Sequence, residues 1–164
     1  MIVIRSNEGY LSGDKYQYNR SIFLAGPTYR DSELIRTCSW RNEAINILSS
    51  FQDTEDLLVF APEPFAKDYQ EQLRWEYFHL EAAKVILFWI PRDLELLPGF
   101  TTNVEFGEWL HSGKIILGFP TDTPKIRYLE HRAYQHNVPV FKALTPALKL
   151  SVGLSTVNDR RYEA

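Results

Sequence analysis

Five short runs of apolar, β-branched and aromatic residues recur along the chain: SIFLAG (21–26), LLVFAP (57–62), VILFWIP (85–91), KIILGFP (114–120) and VPVFKA (138–143). None alternates with polar residues, so each reads as a strand buried on both faces. The intervals carry a helical period instead. In SWRNEAINILSSF the positions Trp40, Ala44, Ile47 and Leu48 share one stripe, and in YQEQLRWEYFHLEAAK the stripe runs through Leu73, Tyr77, Leu80 and Ala83. Residues 102–112 and 125–137 are long enough for two more helices. Strands alternating with helices imply right-handed crossovers and a parallel sheet covered on both faces. The pattern therefore predicts an α/β fold, a doubly wound three-layer sandwich of flavodoxin-like type, with a five-stranded parallel sheet in the order 2-1-3-4-5. Such sheets bind ligands outside the carboxyl ends of the strands where the order reverses, here between the first and third. Chemistry is expected in the loops after Gly26 and after Ile90.

Outside these runs the chain is less regular. MIVIR reads as an edge strand and SNEG as a turn; the segment from Ser151 has no clear period, and NDRRYEA reads as a mobile end. A length of 164 residues with 45% apolar content suits one domain, 1–164, with its core over about 20–150. The net charge is −3 and the Lys and Arg residues are scattered, which argues against long nucleic acid as a partner. No apolar run approaches the length of a membrane span, the first residues lack a signal-peptide pattern, and Cys38 is the sole cysteine. A cytoplasmic protein with no membrane partner is expected. His79, His111, His131 and His136 have no metal-ligand spacing, so no metal site is expected. The chain has no GxGxxG or GxxxxGK[ST], which leaves dinucleotide and P-loop triphosphate binding without support, and no GxSxG, which excludes a hydrolase elbow; no cofactor is expected.

Two carboxylates stand out. Glu105 closes the run Thr102-Asn103-Val104-Glu105, which has the form of a capping box and needs no function to explain it. The same residue, however, follows the VILFWIP strand, where the helix start faces the expected crevice and its dipole would keep a nucleophilic carboxylate ionised. Glu76 lies on or beside an apolar stripe, either reaching solvent at the edge or held in an apolar pocket near Glu105 with its pKa raised, as a proton donor requires. Around these, the turn Gly26-Pro27-Thr28 would let a ligand approach the backbone. Trp89 could stack on a base or belong to the core, Trp75 accompanies Glu76, and Arg41 could meet a phosphate or form a surface ion pair.

Taken in order, SIFLAGP, SWR, QLRWE, VILFWIP and TTNVEFGEWLHSGK resemble the nucleoside 2-deoxyribosyltransferase-like superfamily, and within it the branch that carries a WE motif. The resemblance spans residues 20–145. It implies that Glu105, in an ExG sequence with Gly107, attacks the anomeric carbon of a nucleoside or nucleoside 5′-monophosphate and forms a glycosyl-enzyme ester. A second base or water then takes the sugar. It also implies that Thr101, Thr102 and Asn103 hold a 5′-phosphate, and that the protein is a homo-oligomer acting on a small-molecule nucleoside or nucleotide. The better-studied transferases carry acidic residues where this chain has Lys84 and Gly99, so Glu76 is taken as the acid. The alternative reading is a binding or sensing module that keeps the pocket without turning its ligand over.

Overall fold

All five apolar runs form strands, and a sixth joins them, in a computed structural model that describes residues 1–9, 18–66 and 68–156. In chain order the elements are β1 (Ile2–Arg5), β2 (Ser21–Ala25), α1 (Ser32–Cys38), α2 (Trp40–Ser49), β3 (Leu58–Ala61), α3 (Tyr69–Ala82), β4 (Val85–Trp89), α4 (Phe100–Trp109), β5 (Ile115–Gly118), α5 (Arg127–Gln135), β6 (Val140–Phe141) and α6 (Leu144–Ser155). Every strand pairing is parallel, in the order β1-β3-β2-β4-β5-β6. The expected five-strand order survives inside it. The MIVIR run forms β1, the expected edge strand, beside β3 with Ile2 opposite Leu58, and the correction is to the strand count, which is six and not five.

Alternation of side chains along each strand divides the core between two faces. Phe23, Phe60, Ile86, Phe88 and Leu117 meet Trp75 and Leu80 of α3, Phe106 of α4 with Leu110 at its C-cap, and Leu129 and Ala133 of α5. Ile22, Leu24, Val59, Leu87 and Ile116 meet Trp40, Ala44 and Leu48 of α2 and Leu144, Ala147 and Leu148 of α6. The central strands β2 and β4 are buried along their whole length, as continuous apolar runs require.

Two local readings change. The stripe of α3 is turned from the expected one: Gln72, Trp75, His79 and Leu80 are buried, while Leu73 and Tyr77 are exposed. Trp75 decides the phase, because its large ring fills the core against Phe23. The polar groups that go in with it have partners. Gln72 Nε2 donates to the Pro62 carbonyl and His79 Nδ1 lies 2.8 Å from the Trp75 carbonyl. The segment from Ser151 is not irregular but completes α6, whose buried Ser151 hydroxyl donates back to the Ala147 carbonyl. The end 158–164 lies outside the described residues. No helix among the described residues is long and apolar enough to cross a membrane.

Candidate active site

The strand order reverses between β2 and β4, and a hollow of about 240 Å³ opens there above the carboxyl end of β2. Its floor and one wall come from Ala25 to Thr28, and the opposite wall from Pro98 to Thr102 with Glu105; Glu76 reaches in from α3. Local sequence explains how Glu105 arrives. The helix α4 starts earlier than the expected capping box, at Phe100, because Gly99 adopts the left-handed conformation (φ 64°, ψ 42°) as N-cap. No side chain caps this helix, so Glu105 is a second-turn residue and does not bond back to the helix start. The capping-box explanation of Glu105 is thereby removed. Thr102, Phe106 and Leu110, at i, i+4 and i+8, bury the inner face of α4, with Phe106 edge-on to Phe88. Glu105, three residues after Thr102, flanks that buried face on the side of the hollow.

The same geometry corrects the expected electrostatics. One turn into the helix and away from its first amides, Glu105 is not held ionised: burial, then the negative charge of Glu76, push it up to about 7, against the opposing pull of Arg41. Glu76 is raised as well, chiefly by burial, and partly relieved by a hydrogen bond from Gln72 Nε2 to its Oε1 (2.7 Å) and by the charge of Arg41. Two carboxyl groups from different helices thus share one low-dielectric hollow, where the presence of one charge disfavours the other. Beside the charge of Glu76, Glu105 keeps its proton up to about pH 7, so the hollow carries less negative charge near neutrality than two ordinary carboxylates would.

Arg41 is no surface ion pair. It is 1% exposed, and its Nη1 meets Glu63 Oε2 at 2.9 Å. It also donates from Nε to the Leu24 carbonyl, from Nη2 to the Gly26 carbonyl and from Nη1 to Thr28 Oγ1. The guanidinium therefore shapes the turn that follows β2. Gly26 is required at that turn: at φ 151° a Cβ would stand 2.1 Å from the Trp89 carbonyl oxygen and 2.8 Å from Trp40 Cζ2. Gly26→Ala is expected to lower stability by at least about 2 kcal/mol, read from the urea midpoint.

Of the other candidates, Pro27, Thr28, Thr101 and Thr102 line the hollow. Trp75 and Trp89 do not. Trp75 is fully buried with its Nε1 on the Gly9 carbonyl, and Trp89 packs in the α2/α6 face over Gly118. Asn103 turns away to accept a hydrogen bond from Arg92. Besides the buried Phe23, the aromatic rings at the hollow are Phe65 (44% exposed) and Phe100 (73% exposed). Neither carries a sequence signal beyond its type. Gln72 was equally hidden, although its spacing of four residues from Glu76 on one helix foreshadows their contact. No group of three or more His, Cys, Asp or Glu among the described residues is placed to hold a metal ion.

The family model described as nucleoside 2-deoxyribosyltransferase like matches residues 19–123, which run from the approach to β2 through the loop after β5 and include every residue of the hollow. No curated protein matches the chain.

Proposed function

The chain belongs to the nucleoside 2-deoxyribosyltransferase-like family, and on that premise we propose that it breaks the N-glycosidic bond of a nucleoside or nucleoside 5′-monophosphate, passing the sugar to water or to a second base. Glu105 attacks the anomeric carbon and Glu76 gives its proton to the departing base, leaving a glycosyl ester on Glu105. Glu76, now ionised, takes a proton from the incoming water or base, whose attack frees Glu105; the proton balance closes. The observation that supports this most is the pair of half-buried carboxylates facing one hollow, both with raised pKa and with the charge of Glu76 adding to the rise at Glu105. A module that only bound its ligand would gain nothing from holding two such groups together, since like charges in a desolvated site reduce stability.

The remaining lining supports the same reading. The start of α4, with no side chain over its first amides, and the hydroxyls of Thr101 and Thr102 suit a phosphate or sugar hydroxyl. Phe65 and Phe100 suit the faces of a base. Phe100→Ala is expected to raise KM roughly 5- to 10-fold with kcat nearly unchanged, about 1 kcal/mol of stacking lost equally from ground and transition states. The homo-oligomer also stays a proposal; Tyr69, Leu73 and Tyr77 give α3 an exposed apolar side that suits one, and light scattering measures it. The direct test is incubation with a panel of deoxynucleosides, ribonucleosides and their 5′-monophosphates, with free base read by chromatography. Base release supports the assignment, whereas binding without release would select the sensing module.

A further inference from the structure

Glu63 takes no part in the chemistry just described, yet it is 1% exposed and charged. It does not line the hollow. Both of its carboxylate oxygens are engaged: Oε1 accepts from the Ser39 hydroxyl, and Oε2 accepts from Arg41 Nη1 at 2.9 Å. Its backbone is fixed as well, since Arg5 Nη1 donates to the Glu63 carbonyl at 2.9 Å. Arg41 in turn is spread over the carbonyls of Leu24, Gly26 and Pro27 and the Thr28 hydroxyl. Nη2 spends one of its two N–H groups on Gly26, and the side chain forms part of the hollow's wall.

We propose that Glu63 is a positioning residue for the reaction at Glu105: it anchors the Arg41 guanidinium in the wall behind the β2 turn, so that the cation faces both reactive carboxylates without closing onto either. The competing geometry is plain. A guanidinium released beside two carboxylates forms a bidentate pair with one of them. Paired in that way, Glu105 loses the free oxygen that must attack carbon, or Glu76 loses the proton that the leaving base needs. Among the described residues neither Glu76 nor Glu105 is in an ion pair with Arg41; the guanidinium pairs with Glu63. The charged groups that bear on Glu105 are Glu76 from α3, Arg41 from α2 and Glu108 from its own helix, while Arg41 also bears on Glu76. Arg41 thus moderates the proton affinity of the pair from a fixed distance, and Glu63 fixes the distance.

The proposal rests on the glycosidic reading, so its test has one readout that needs no turnover. Carboxyl ¹³C NMR of glutamate-labelled protein, assigned with Glu105→Gln, gives the titration midpoint of Glu105. In Glu63→Gln the guanidinium loses its counter-charge and moves toward the pair. The midpoint is expected to fall by half a pH unit or more, and kcat at least 10-fold with KM within about 3-fold of wild type. Glu63→Asp restores the charge and is expected to recover most of the midpoint and part of kcat. A merely structural Glu63 would leave the midpoint unmoved in whatever fraction folds, and that result, or wild-type kcat in Glu63→Gln, overturns the proposal. If neither Glu63 variant folds, Ser39→Ala decides, because it keeps both ions and removes the hydroxyl that braces Glu63 and caps α2 at the Arg41 amide, a cap loss that lowers stability but leaves kcat of the folded fraction unchanged. A kcat lowered about 3-fold at unchanged KM supports the role, and wild-type kcat overturns it. If the wild-type protein releases no base yet the midpoint still falls in Glu63→Gln, the glycosidic reading has failed and the anchoring stands.

Discussion

Replacing Glu105 by glutamine is expected to abolish base release and, at the same time, to make the protein more stable at pH 8. The activity loss should reach roughly 10³-fold or more, because a covalent nucleophile has no substitute in the hollow. The stability gain follows from linkage. In the unfolded chain the carboxyl ionises at its ordinary 4.5, whereas in the fold it is pushed up to about 7. Between those values the native state holds a proton that the unfolded state has released, so stability falls as pH rises through this window and stays low above it. At about 1.4 kcal/mol per pH unit, the ionised native carboxylate destabilises the fold by up to about 3 kcal/mol. Glutamine carries no such charge. A gain of about 1–3 kcal/mol at pH 8, or roughly 3–10 °C in Tm for a chain of this size, is expected to shrink toward zero at pH 4. Thermal melts of both proteins across that range check it. A structural Glu105 would give the opposite pattern, with stability lost at pH 8 and turnover retained.

Glu76→Gln should change the shape of the pH profile as well as its height. Under the proposed mechanism the active form holds one proton on the pair, on Glu76, with Glu105 ionised; this is the minor of the two placements, because it is Glu105 that keeps its proton up to about pH 7. In the wild type kcat/KM is therefore expected to decline above about pH 7 as the last proton leaves, and to decline on the acid side as a second proton arrives. Glutamine cannot supply a proton. Its rate on an ordinary substrate is expected to drop about 10²- to 10⁴-fold, with no alkaline decline remaining. A substrate analogue whose base leaves without protonation should recover most of the lost rate. If the variant retains the alkaline limb, some other group is the acid.

Much of the fold was legible because continuously apolar strands in a parallel sheet leave little freedom: the runs around Leu24, Phe60, Leu87 and Leu117 could only be buried on both sides. Helix phase was less so. In α3 the residues Leu73 and Tyr77 offer a plausible stripe, but the large Trp75 ring takes the core, and the backbone partners of Gln72 and His79 let that face be buried. Likewise, Thr102 resembles an N-cap more than Gly99 does, and the left-handed cap that starts α4 earlier has no pattern beyond the glycine itself. Glu105 and Glu76 were readable as a pair because each sits on a helix flanking the crevice. The buried Arg41–Glu63 contact was not, since its partners are 22 positions apart on different elements and a charged residue in isolation reads as surface. The aromatic lining was hidden for the same reason: tryptophans near the strand end draw attention, but the largest rings went to the core and left Phe65 and Phe100 at the mouth.

Trapping the covalent intermediate tests the nucleophile most directly. The protein is incubated with a 2′-deoxy-2′-fluoroarabino nucleoside, whose electronegative substituent slows breakdown of the glycosyl ester, and then analysed by intact-mass and peptide mass spectrometry. The expected result is a single fluorosugar adduct, mapped to Glu105 and missing in Glu105→Gln. Release of base with the adduct on another side chain, or with no adduct under conditions that trap the slow step, would contradict the assignment of Glu105 as the attacking group.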